Sequence, residues 1–301
     1  MNGEFLILLV YVDDVVITGT SPKVARSPAG IFLNQRKYVI DMLDEYQFSD
    51  CKPVKTPMET KHNLGLSSAP LLPDASVYRR LVGRLIYLTI TRPDLAFPVH
   101  VLSQFMQSPT EDHLRAAHRV LRYIKLAPAQ GLLFSSDSKL QLVAYCDADW
   151  ASCPITRRSV SGYCMMLGSS VISWKTKKQV VVARSSAESE YRALAGACGE
   201  VLWLVRLLAD MHVRVPTPVY AYCDNQAAIH IARNPVFHER TKHVEIDCHF
   251  VRHHVNSGFF FPTSIPTVDQ PADLFTKPLS SDRLSYLSSK LGVSNFLHSP
   301  T

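Results

Sequence analysis

The chain has 301 residues, 47% of them hydrophobic, and carries a formal charge of +6 with a pI of about 8.9. That length favours more than one structural unit, and that apolar content supplies packed cores and excludes a disordered or fibrous chain. The basic balance fits a nucleic-acid partner without requiring one, and no apolar run is long enough to span a bilayer. No leader with a charged start and an apolar middle precedes the first strand pattern, so an intracellular protein, cytoplasmic or nuclear and without a membrane partner, is expected. Seven cysteines without a C-x-x-C pair read as reduced core thiols.

Residues 5 to 19 read as two apolar strands around Tyr11-Val12-Asp13-Asp14. Adjacent acids pressed between bulky apolar residues are costly unless something binds them. Residues 22 to 72 show little periodicity apart from a helix near 35 to 46, and Ser67 to Asp74, with Pro70 and Pro73, reads as a linker. From 76 to 126 the spacing is helical: Val77, Leu81, Leu85 and Leu88 form one stripe, and Leu114, Ala117, Val120, Leu121 and Ile124 form another. His113, Arg115, His118, Arg119, Arg122 and Lys125 lie opposite, on a face that either holds a phosphate backbone or is simply solvated.

From about 135 the pattern becomes strand, strand, strand, helix, strand, helix, helix, strand, helix. In the first strand Leu140, Leu142, Ala144 and Cys146 alternate with Gln141, Val143, Tyr145 and Asp147. Asp147 thus stands near the strand's C-terminal end, where ligands of α/β folds bind. Ser185-Ser186-Ala187-Glu188 is a capping box that opens a long helix with Glu190 one turn in. Asp224 ends the fourth strand, and Asp269 is expected to cap the helix that holds Asp273, with Pro271 tolerable in its first turn. Asp149 reads as an alternate neighbour on the wrong face and Glu188 as the residue that closes the capping box. The histidines of 238 to 254 lack the paired cysteines of a tetrahedral zinc site.

Two sets of motifs carry a resemblance. Tyr11-Val12-Asp13-Asp14, Gln35 to Leu43, Cys51 to Met58, Tyr78 to Leu88 and Thr91-Arg92-Pro93-Asp94-Leu95 are similar to reverse-transcriptase segments of copia-type retrotransposon Pol polyproteins. Tyr145 to Ala151, Arg157 to Tyr163, Ile172 to Gln179, Ser185 to Leu194, Cys223 to Ala228 and Asp269 to Asp273 resemble the ribonuclease H part of the same polyproteins. Pro271 stands where that family has an aliphatic residue, and Arg252-His253-His254 replaces an acidic run.

The resemblance implies three segments. A truncated reverse-transcriptase palm is expected over 1–72, a helical thumb or connection over 73–134, and an α/β ribonuclease H-like domain, a five-stranded mixed sheet with flanking helices, over 135–301. Asp147, Glu190, Asp224 and Asp273 are then the four acids that hold two magnesium ions, with manganese as a substitute. The expected activity is endonucleolytic cleavage of the RNA strand of an RNA–DNA hybrid. Magnesium prefers hard oxygen ligands, and carboxylates crowded without a cation resist ionisation. The fingers and the third palm carboxylate are expected to be absent, leaving Asp13 and Asp14 as relics of a polymerase metal site and the polymerase activity lost. Arg157, Arg158, Lys175, Lys177, Lys178, Lys242 and His243 are candidate contacts for nucleic acid, and other parts of a polyprotein are candidate partners. The alternative is a catalytically silent nucleic-acid-binding remnant of a decayed element.

Overall fold

The computed structural model describes residues 7–11, 14–18, 25–234 and 244–295. The first hairpin pairs β1, Ile7–Tyr11, with β2, Asp14–Thr18, and sets Tyr11 opposite Asp14. Next come β3, Ala25–Ser27, β4, Gly30–Asn34, and α1, Arg36–Glu45. Three helices follow: α2, Ala75–Leu88, α3, Ala96–Ser103, and α4, Glu111–Leu126. Asp74 caps α2 by accepting from the Ser76 N–H at 2.8 Å. The buried stripe of α2 is Tyr78, Leu81, Val82, Leu85 and Leu88, one position on from the expected start at Val77, which is exposed.

The basic face of α4 differs from its reading as a single open surface. His113 is buried: its Nδ1 accepts from the Thr110 N–H at 2.8 Å, and its Nε2 reaches the Leu64 carbonyl at 3.0 Å. Arg119 donates to Glu59 and Thr56, Arg122 to the Lys52 carbonyl and Lys125 to the Cys51 carbonyl. These cations hold the 51–59 loop, a use that charge patterning alone does not reveal. Beneath them lies a buried ion pair. Arg92 donates to both oxygens of Asp94, at 3.0 and 2.8 Å, and Tyr123 and Gln130 donate to the same carboxylate.

After β5, Gln130–Ser135, come β6, Leu142–Asp149, β7, Val160–Leu167, and β8, Ser170–Lys178. The long helix α5, Ser186–Asp210, leads to β9, Val219–Cys223. The chain continues with α6, Gln226–Arg233, α7, Glu245–Asn256, and β10, Phe260–Ser264. A 3₁₀ turn over Pro271–Phe275, then α8, Ser281–Lys290, and β11, Val293–Asn295, complete the described chain.

Five strands form one mixed sheet in the order β10-β9-β6-β7-β8. The β6–β7 and β7–β8 pairs are antiparallel, whereas β9 is parallel to β6 and β10 to β9. An antiparallel three-strand meander extended by two parallel strands reached through helices is the ribonuclease H-like topology. The sheet packs α5, α6 and α7 on one face, through Leu142, Ala144, Cys146, Tyr191, Leu194, Cys198 and Val251. Its other face shares an apolar cluster with Leu274, Phe275 and Leu284 and with Leu95, Phe97 and Leu102 of the helical segment. A second, four-stranded sheet in the order β11-β5-β4-β3 joins chain ends that the sequence pattern gave no reason to pair.

Candidate active site

The β6 alternation that puts Ala144 and Cys146 into the α5 face leaves Asp147 on the opposite side, at the C-terminal rim of the sheet. It is almost fully buried. Its Oδ2 accepts from the Thr276 hydroxyl and its Oδ1 from Lys277 Nζ at 3.1 Å. The same ammonium lies 2.8 Å from Asp273 Oδ1, so one lysine bridges two carboxylates. The second oxygen of Asp273 accepts from Arg283 Nη2 at 3.0 Å.

Glu190 approaches the rim from the other face, on the second turn of α5. Ser185 caps that helix by accepting from the Glu188 N–H at 3.2 Å, and Glu188 accepts from the Arg184 N–H at 2.8 Å. Donor atoms of Glu190, Cys223 and Asp224 all lie within 4.8 Å of one another. Asp224 is half-buried just past β9, and its Oδ2 accepts from the Thr267 hydroxyl at 2.8 Å.

The electrostatics link the two halves. Burial, and then the nearby charges of Asp147, Cys223 and Asp224, push the Glu190 carboxyl up to about 11. Burial and the Asp273 charge push Asp147 up to about 6 against the opposing pull of Lys277. Two pairs of acids thus adjoin, Asp147 with Asp273 across Lys277 and Glu190 with Asp224, and the Asp147 charge bears on Glu190. Such a set resists full ionisation without an added cation. Its hard oxygen donors fit a divalent ion of the magnesium class.

The turn carrying Asp273 is not the α-helix capped by Asp269 that its sequence predicts. Gln270 caps a short 3₁₀ turn, its side chain accepting from the Ala272 N–H at 3.2 Å, while Asp269 pairs with Lys290 and Tyr286. Fully buried, Gln270 donates to the carbonyls of Cys146 at 3.0 Å and Tyr222 at 3.3 Å. One amide thus fastens the acid-bearing turn to the ends of β6 and β9. Gly162, opposite Asp147 in the β6–β7 register, makes room for the turn: a Cβ there would lie 2.6 Å from Phe275 Cβ. Gln270, Thr276, Lys277 and Arg283 were not singled out from the sequence. The available signal was polar spacing, since Thr276 and Lys277 follow Asp273 at i+3 and i+4, neighbouring positions on a helical turn.

The candidate nucleic-acid contacts are scattered by comparison. Lys175 and Lys177 are exposed on β8, and Arg157 and Arg158 are exposed in the loop before β7 rather than on a strand. Lys178 is engaged, with Nζ 2.9 Å from Gln104 Oε1 and 2.8 Å from Cys153 Sγ. Lys242, His243 and Asp13 lie outside the described residues, and Asp14 opens β2. Among the described residues no helix is long and apolar enough to cross a membrane.

No protein-family model matches the chain. It is 41% identical, over 95% of its length, to the retrovirus-related Pol polyprotein from transposon RE1 of Arabidopsis thaliana. It is 30% identical, over 97% of its length, to the corresponding polyprotein from transposon TNT 1-94 of Nicotiana tabacum. The chain belongs to the retrovirus-related Pol polyproteins of copia-type transposons. It spans 21% and 25% of the lengths of those two curated relatives. A weaker likeness, 12% identity and a TM-score of 0.35, links 45% of this Pol-family chain to 94% of LC11-RNase H1 in a complex with an RNA/DNA hybrid. The ribonuclease H-like assignment of the sheet rests on its own strand order and connections.

Proposed function

We propose that this chain hydrolyses the RNA strand of an RNA–DNA hybrid as the ribonuclease H part of a transposon polyprotein, using Asp147, Glu190, Asp224 and Asp273 to hold two magnesium ions. What supports this reading is the nearness of Glu190 to Asp224, with donor atoms within 4.8 Å, the bridging of Asp147 and Asp273 by Lys277, and the bearing of the Asp147 charge on Glu190. Membership of the Pol family supports it independently. When bound, magnesium or manganese stabilises the attacking and leaving oxygens of a phosphodiester and eases deprotonation of a water. The protein's own part is to orient and shield.

Asp147 is held by Thr276, so its carboxylate keeps one direction at the centre of the set. Thr267 fixes Asp224 in the same way. Gln270 sets the distance between the strand ends and the turn, and the buried Glu190 closes the inner wall. Substrate contact is proposed along β8, where exposed Lys175 and Lys177 share a groove with Arg192 and the open backbone at Gly196 and Gly199 of α5. Phosphates and 2′-hydroxyls on the surface of a hybrid suit such a shape-reading, sequence-indifferent surface. Polymerisation is not proposed for Asp13 and Asp14.

The test is cleavage of an end-labelled hybrid with magnesium, beside an Asp224→Asn variant and a chelator control. Metal-dependent cleavage of the RNA strand that Asp224→Asn loses by 10²-fold or more is expected, about the effect of removing one stabilising group from a preorganised site. Equal cleavage by both proteins, or none by either, rejects the nuclease in favour of a silent binding remnant.

A further inference from the structure

The two halves of the acid set are not equally charged. Among the described residues no lysine or arginine is bonded to Glu190 or Asp224: Cys223 is the third donor within 4.8 Å, and the Thr267 hydroxyl donates to Asp224. Around Asp147 and Asp273 two cations are already in place. Lys277 Nζ bridges them at 3.1 and 2.8 Å, and Arg283 Nη2 holds the far oxygen of Asp273 at 3.0 Å.

These two cations differ in freedom. The Arg283 guanidinium is also tied to the carbonyls of Thr267, at 2.6 Å, and Val268, so leaving would abandon three acceptors at once. Among the described residues Lys277 donates to these two carboxylates, with Asp149 as a further acid within its influence; it is about one-third exposed and carries its charge on a flexible four-carbon stem. An ammonium between two carboxylates occupies the electrostatic position that a bridging divalent ion would need.

We infer that Lys277 is the resident counter-cation of the Asp147–Asp273 half, and that a second divalent ion enters there only by displacing it. This rests on the metal-binding reading above. The first ion then takes the Glu190–Asp224 side, where no ammonium or guanidinium of the described residues has to leave, and Lys277 sets the concentration at which the second arrives. Lys277 is a positioning residue in this account: it acts through the two acids.

The experiment is a calorimetric titration of the full chain with manganese, with free manganese counted in parallel by electron paramagnetic resonance. The wild-type protein should bind in two steps, the second weaker. In Lys277→Met the second step should tighten by about tenfold or more, since the two charge-assisted contacts of the ammonium no longer have to be broken. Lys277→Arg keeps the charge and should leave the second step weak. If Lys277→Met does not fold, Lys277→Gln, which also removes the charge, serves in its place. Two wild-type ions with an unchanged or weakened second step in the neutral variant overturn this inference alone. A wild-type protein that binds no manganese overturns the metal reading and this one with it.

Discussion

Substituting alanine at Gly162 places one methyl group where the sheet and the acid-bearing turn meet. A Cβ at that position would lie 2.6 Å from Phe275 Cβ, 2.7 Å from Thr276 Cγ2 and 3.1 Å from the Phe275 carbonyl carbon. Ordinary contact begins near 3.4 Å, so the turn must retreat by about 1 Å. Two of the three nearest atoms are Cβ and backbone carbon, and neither can rotate away as a flexible side-chain end would. Overpacking of this kind costs about 1–3 kcal/mol, and each kcal/mol lowers Tm by roughly 2–4 °C in a domain of this size. The retreat also pulls Thr276 from Asp147 and shifts Asp273, and a 1 Å misplacement costs about 10²-fold in rate. Cleavage of a labelled hybrid at saturating magnesium and thermal unfolding are the two measurements. Gly83→Ala is the control: among the described residues nothing crowds its Cβ position within 4 Å, and alanine there should stabilise α2 by about 0.5–1 kcal/mol. Gly162→Ala with wild-type cleavage and an unchanged Tm would refute the reasoning.

Three further outcomes are expected. Gln270→Ala leaves the Cys146 and Tyr222 carbonyls without their buried donor, costing about 1–3 kcal/mol in chemical denaturation, with cleavage falling further than stability alone explains. Asp94→Ala strands the buried Arg92 cation and should cost about 3–5 kcal/mol, read as a Tm drop; retention of wild-type Tm would sink that account. In chelator, the folded-state values of Asp147 and Glu190 stand above their ordinary ones, so the folded chain binds more protons than the unfolded one. Their contribution is complete in acid below the ordinary carboxylate range and is lost as pH rises, through about 6 for Asp147 and onward toward 11 for Glu190. Unfolding scans between pH 5 and 8 should therefore show these groups favouring the acid side, and magnesium should flatten that slope; a slope indifferent to magnesium contradicts it.

The five-stranded sheet was legible because alternation in Leu142–Asp149 and the capping box at Ser185 are local signals, each confined to a few residues. The four acids were legible as candidates because each sits at the end or the beginning of such an element. What pairs distant segments was not. β3, β4, β5 and β11 are three to six residues long and join residue 25 to residue 295, with no local period to announce the partnership. The fate of a cation was equally hidden: Arg119, Arg122 and Lys125 share the helical face of Arg115 yet grip a loop 60 to 74 residues away. Lys277 escaped notice for the same reason, since its second carboxylate lies 130 positions earlier in the chain.

The shared apolar cluster behind β6, β7 and β8 bears on how the molecule can be prepared for study. Cys164, Met166, Val171 and Phe275 lie in one oil-like layer with Leu95, Phe97, Leu102 and Leu132. A plasmid that starts at residue 135 would uncover that layer and present it to water, inviting precipitation rather than a monodisperse sample. Keeping the residues from 36 onward, or repainting the bared layer with polar side chains, is the route to a nuclease-like half that stays in solution.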